Sequence, residues 1–285
     1  MDRRTTLALR GAAVTAALLP LVYLTAVHLG PVHWLDAAIL NGFTNLNGPR
    51  VEPLAIDIAT LCDPDTFVWL VAALIAVALL RRRPRTAAAV AIVLLGANVT
   101  TQLLKPALAS DRVSPLLDDV GQILPASWPS GHATASMSLA LCAVLVAPAR
   151  LRPWTAALGA VFAVAVTFSF LTLDWHYPSD VLGGFLVAAT WTQLAVAALS
   201  AAQARWPERR ERVEPPPLRE ALAPSGVTAA CAALLAAMVL IARPAQVVAY
   251  AQEHTAFVVG AGALAVVALT LAAGLSLLTL RAPRR

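Results

Sequence analysis

The stretch WPSGHATASMSLALCAVLVAP, Trp128–Pro148, decides the fold. A proline, a serine, a glycine and a histidine open it, and an uncharged run rich in Ala, Leu and Val follows. That length and apolarity fit a helix crossing a bilayer. In lipid the backbone must satisfy its own hydrogen bonds, so the segment is expected to be helical. Ser130 stands where a helix N-cap is expected, and Gly131 lets a ligand come close to the backbone. The unpaired N–H groups of such a helix start, with the helix dipole behind them, make an anion site. His132 would face an anion held there.

Outward from this segment, similar runs recur. Together they predict eight spans, at about 9–28, 66–80, 86–104, 131–148, 154–173, 179–201, 225–243 and 255–280. The second is short and is read as beginning inside 51–62, with Asp57, Asp63 and Asp65 near its entrance. The chain has 285 residues, 59% of them hydrophobic, and a mean hydropathy of +0.73. A soluble domain of that size cannot hide so much apolar surface. The expected fold class is all-α, a polytopic membrane helical bundle. Residues 1–202 form its six-span core, 203–222 a charged, Pro-rich linker, and 223–285 a two-span C-terminal hairpin. Residues 31–48, with Trp34 and Phe43 among polar neighbours, read either as a helix lying at the interface or as a plain connection.

Charge placement orients the bundle. With the N-terminus in the cytoplasm, Arg3, Arg4, Arg10, the Arg81–Arg85 turn, Arg150, Arg152, the linker arginines and Arg281, Arg284 and Arg285 all fall inside. Only Arg50, Lys105, Arg112 and Arg243 fall outside, which is a strong positive-inside pattern. Both termini are then cytoplasmic. The net charge of +5 is explained by topology, so it gives no reason to expect nucleic acid. The N-terminal apolar run continues to about Gly30 and more spans follow, so it reads as an uncleaved first span. Cys62, Cys142 and Cys231 are far apart, lack metal-ligand spacing and read as small apolar filler.

This orientation gathers three polar stretches on one side. Lys105 and Arg112 are seven residues apart; if helical, that spacing is about two turns and puts both cations on one face. Such a pair suits an anion, though cations at a helix end also snorkel to headgroups. Pro106 fits there only near a helix start or in a non-helical turn. The second stretch is Pro129-Ser130-Gly131-His132. The third holds His176 and Asp180, four residues apart across Pro178. A carboxylate at that spacing can fix the imidazole tautomer and leave the other ring nitrogen free to attack. The plain alternative is a surface histidine capping a helix.

The order, spacing and shared side of these pieces resemble the type 2 phosphatidic acid phosphatase (PAP2) superfamily of membrane lipid phosphatases. Its motifs read K-x6-R-P, P-S-G-H and S-R-x5-H-x3-D. This chain offers Lys105 through Arg112, then Pro129 to His132, then Ser169 with His176 and Asp180. The resemblance covers about residues 60–200. It implies that His176 is the nucleophile, that Asp180 orients it and that His132 is the general acid. Lys105, Arg112, Ser130 and the Gly131 amide would hold the phosphate. It implies no metal and no cofactor.

Two positions depart from the pattern. Val113 stands in place of the motif proline and Phe170 in place of the third-motif arginine. Phe170 and Asp174, two residues before His176, are therefore candidate substrate-pocket residues. The resemblance implies hydrolysis of a lipid phosphate at the extracytoplasmic face of the cell membrane. Phosphatidic acid-type lipids and polyprenyl phosphates or diphosphates are the candidate substrates. A phosphotransferase on the same scaffold and a catalytically impaired lipid-binding homologue are the alternatives.

Overall fold

The computed structural model describes residues 2–112, 123–206 and 217–280. Val113, the linker arginines Arg209, Arg210 and Arg212, and Arg281, Arg284 and Arg285 lie outside the described residues. The described chain is helical throughout: α1 (Arg3–His28), α2 (Gly30–Thr44), α3 (Glu52–Ala59), α4 (Pro64–Leu80), α5 (Pro84–Ala107), α6 (Gly131–Val146), α7 (Arg152–Thr172), α8 (Pro178–Arg205), α9 (Leu218–Ala242), α10 (Pro244–Glu253) and α11 (Thr255–Leu280). Among the described residues seven helical segments are long and apolar enough to cross a membrane. The bent pair α3–α4, turning by 52°, makes an eighth if it is one span. The protein is a multi-pass membrane protein, an all-α bundle.

α6 is the central helix. Within its apolar window, counted from Pro125, 83% of the residues are buried, against none for α9. The reason lies in its side chains: Ala, Ser and Thr dominate its first turns, so neighbours can approach its backbone. α5, α7 and α8 surround it. The closest approach is made by Gly183 and Gly184 of α8. A Cβ at Gly184 would come within 2.8 Å of Ser130 O and Thr134 N, and one at Gly183 within 2.8 Å of the Trp128 ring. Two glycines thus seat the start of α8 on the start of α6, the two helix ends that carry the polar motifs.

Several local readings needed revision. The stretch 31–48 is a helix rather than a plain connection: α2 packs one face against α1, α7 and α11, with Asp36 buried, and leaves Trp34 and Leu35 exposed. α5 runs through Pro106 and ends at Ala107, so Arg112 lies beyond it and does not share a helical face with Lys105. Pro106 is accommodated in the last turn, where the chain leaves the helix after one more residue. The linker flanks are helical, since α8 reaches Arg205 and α9 starts at Leu218. The connection after α9 carries its own short helix, α10.

α11 packs into the body against α7 and α2. Phe43 of α2 stacks edge-on against Phe168 of α7 (5.0 Å) and Phe257 of α11 (4.8 Å). The Tyr250 hydroxyl donates to Gly42 O, and His254 Nε2 meets Asn45 Nδ2 at 3.0 Å. α2 is therefore held from both sides, by the body and by the C-terminal helices.

Candidate active site

The site forms where α5 ends and α6 and α8 begin. Ser130 caps α6, accepting from Ala133 N–H (3.3 Å), while its own N–H donates to Asp180 O (2.9 Å). The second and third motifs are thus joined by a backbone hydrogen bond. Lys105 Nζ lies over the same helix start: a Cβ on Gly131 would sit 3.8 Å from it and from Gln102 Nε2. A cation, a capped helix N-terminus and a glycine without a side chain face one space.

His176 lies in the link between α7 and α8. Its Nδ1–H donates to Asp180 Oδ2 (3.2 Å), which also accepts from Tyr177 N–H (3.1 Å). Asp180, in the first turn of α8, therefore fixes the ring and leaves Nε2 as the available nitrogen. Burial holds the imidazole below its ordinary value; Asp180 pulls the other way, while Lys105 and His132 add to the lowering. A neutral imidazole with a free nitrogen is the nucleophilic form. His176 and Lys105 both line a cavity of about 630 Å³.

His132 projects from the first turn of α6, and its Nε2 meets Asp63 Oδ1 at 2.9 Å. Asp63 precedes α4 as its N-cap residue. The two histidines thus each hold a carboxylate, and Phe170 lies between them. Its ring is fully buried, 5.8 Å from the His132 ring and 5.4 Å from that of His176. The Trp175 ring flanks His132 on another side at 5.6 Å.

Arg112, off the helical face of Lys105, is paired within the protein. Nη2 donates to Asp180 Oδ1 (2.5 Å) and Ser127 Oγ (2.7 Å), and Nη1 to Ser179 Oγ (3.0 Å). Asp36 Oδ2 is 3.7 Å away, and the guanidinium stacks over Tyr177 at 4.4 Å. The Tyr177 hydroxyl in turn donates to Arg112 O (2.6 Å). Two carboxylates share one guanidinium, which burial alone would disfavour but charge pairing retains. The flanking carboxylates hold Arg112 firmly protonated against the opposing effect of burial. Asp36 accepts from Ser179 N–H (2.8 Å) and Ser179 Oγ (2.5 Å). Burial pushes its carboxyl up to about 7, with Asp180 adding to the rise and Ser179 and Arg112 opposing it.

The structure therefore brings Lys105, Arg112, Ser130, Gly131, His132, His176 and Asp180 to one end of the bundle, with Phe170 and Asp174 beside them. Sequence reasoning gave no role to Asp36, Ser127 or Ser179, and it noted Asp63 without pairing it. Asp36 had a signal: a lone carboxylate among Leu35, Ala37, Ala38 and Ile39 asks for a partner. Among the described residues, no group of three His, Cys, Asp or Glu side chains is arranged to hold a metal ion.

Residues 86–204, from α5 to α8, match the family model of the PAP2 superfamily. The segment that builds the site therefore matches the PAP2 superfamily. The PAP2 match contains every motif residue, whereas Asp36 and Asp63 reach the site from helices that precede it. No curated protein is matched by the chain. Among solved structures the chain is similar to the first transmembrane PAP2 type phosphatidylglycerolphosphate phosphatase from Bacillus subtilis. The two are 19% identical with a TM-score of 0.54, and the match covers 70% of this chain and 98% of that one. At that identity the likeness shows the PAP2 fold.

Proposed function

We propose that this PAP2 protein is a lipid-phosphate phosphatase working through a phosphohistidine on His176. The observation that carries the reading is the His176–Asp180 pair beside Lys105 and the capped start of α6. His176 Nε2 attacks phosphorus, and the bond from phosphorus to the lipid oxygen breaks. His132, oriented by Asp63, gives its proton to that leaving oxygen. Water then attacks phosphorus, the phosphorus–nitrogen bond breaks, and His132 takes up the proton that water loses. Lys105, Ser130 and the Gly131 amide hold the phosphate oxygens as charge develops. Arg112 fixes Asp180 in place and adds positive potential from behind it.

PAP2 proteins are a family of metal-independent phosphatases, and the reaction above asks for no metal. The arginine distribution supports cytoplasmic termini and an extracytoplasmic site. The substrate is a lipid phosphomonoester or diphosphate, of the phosphatidic acid or polyprenyl type. Phe170 takes the place of the third-motif arginine, so Lys105 and the helix N-terminus carry more of the phosphate binding. The test is inorganic phosphate release in detergent with EDTA present, from phosphatidic acid, lysophosphatidic acid and polyprenyl phosphate and diphosphate. Release that disappears in His176→Ala is expected. Equal release by wild type and that variant overturns the nucleophile assignment, and no release from any lipid overturns the phosphatase reading.

A further inference from the structure

One wall of the His176 cavity is not explained by phosphate binding. Asp174 lines it together with Lys105 and His176. Its backbone is left-handed, with φ of 60°. The cause is the end of α7: Asp174 N–H donates to Leu171 O (3.1 Å) and Trp175 N–H to Phe170 O (3.0 Å). These are the two bonds of a Schellman turn, whose left-handed residue is usually glycine, with asparagine next. A carboxylate is a poor choice there. It faces the negative end of the α7 dipole, and it stands in the cavity that would receive a phosphate. Its Oδ1 is buried with no hydrogen-bond partner among the described residues. Burial pushes the carboxyl up to about 6. A residue that breaks the local rules, and whose buried oxygen has no partner among the described residues, is expected to serve a ligand.

The rest of the lining says which ligand. Thr44, Asn45, Asn47 and Thr172 add neutral hydrogen-bonding groups to the same cavity. A cationic group would pair with Asp174 only when it is ionised, and Lys105 in the same cavity opposes it. A hydroxyl pairs with a carboxyl in either protonation state, and with amides and hydroxyls as well. We propose that Asp174 is the specificity residue of this site and receives a free hydroxyl on the substrate's leaving alcohol. The substrate class is then a phosphomonoester of a lipid alcohol that carries a further hydroxyl close to the ester oxygen. This rests on the phosphatase reading and, among its candidates, selects lysophosphatidic acid-like lipids over phosphatidic acid and polyprenyl phosphates, whose alcohols carry no further hydroxyl.

The test uses a matched pair, lysophosphatidic acid and its 2-deoxy analogue, which differ by one hydroxyl. Wild type in detergent is expected to favour the hydroxylated lipid by about tenfold or more in kcat/KM, the size of one hydrogen bond to a charged group. Asp174→Gly suits the left-handed turn and should fold; in it the ratio should collapse towards one. Asp174→Asn also suits the turn and should keep part of the preference, since its amide oxygen still accepts. A wild type without preference, or the same preference in Asp174→Gly, overturns the proposal while the phosphatase reading stands. If wild type cleaves neither lipid, the phosphatase reading is decided by the wider lipid set and the subsite by affinity. Calorimetric binding of the same pair then decides: tighter binding of the hydroxylated lipid, lost in Asp174→Gly, upholds the subsite, and equal affinities overturn it.

Discussion

The two ends of the bundle use their charged residues in opposite ways. At the end carrying the α4–α5 and α6–α7 links, arginines face backbone. Arg83 donates to Leu145 O and Val146 O, Arg85 to Trp206 O, Arg152 to Ala147 O and Thr279 O, and Arg4 to Leu278 O. Those carbonyls belong to the last turns of α6, α8 and α11 or follow directly, where helices run out of donors. Each cation satisfies orphan carbonyls and meets the negative end of a dipole. At the other end, charged side chains face one another around helix N-termini, and a cavity stays open beside Lys105 and His176. The same bundle therefore sets cations on helix carbonyls at one end and gathers the candidate site at the other. Arg112 is the exception, a cation at the site end that pairs with Asp36 and Asp180.

This contrast can be broken or sharpened. His176→Ala should lower phosphate release by at least about 10³-fold, because no other group replaces the nucleophile. A loss smaller than tenfold would sink the assignment of chemistry to that end. Asp180→Asn should cost about 10²-fold or more in kcat: the amide no longer fixes the His176 tautomer and no longer pairs with Arg112. An unchanged kcat would show that Asp180 only holds the fold. Phe170→Arg should lower release by about tenfold, since it drives a cation into a fully buried position between two imidazoles. A rise would instead show that the site lacks only a phosphate ligand and that the aromatic has no part in it.

A smaller effect concerns pH. Burial depresses His176, so its neutral form should persist below the ordinary value of 6.5. The acid limb of kcat/KM should then fall below pH 6.5, and a limb lying above it would contradict the buried, nucleophilic imidazole. The smallest effect on rate belongs to the opposite end. Arg83→Ala should leave kcat within about twofold and lower the thermal midpoint in detergent, because hydrogen bonds from a charged donor contribute ~1.5–3 kcal/mol. A large loss of rate with an unchanged midpoint would erase the distinction between the two ends.

The sequence by itself determined the membrane bundle and picked out most of the residues that the structure gathers around one cavity end. Hydropathy fixes long helices because the bilayer leaves the backbone no other way to satisfy its hydrogen bonds. Lys105, the Pro129–His132 turn and the His176–Asp180 pair were legible because their spacing is local or bears a motif. What failed were readings that needed distant neighbours. Arg112 reads as sharing a helical face with Lys105, yet it lies beyond α5 and two carboxylates from α2 and α8 hold it. The 31–48 stretch reads as an interface helix or a plain connection, with no partner for Asp36, yet Asp36 accepts two hydrogen bonds from Ser179 of α8. Asp63 and His132 are 69 residues apart and meet only because the bend between α3 and α4 brings the N-cap of α4 to α6. Only the tertiary structure decided these pairings, because a buried charge is stabilised by whatever partner packing delivers, and packing depends on contacts that no local spacing encodes.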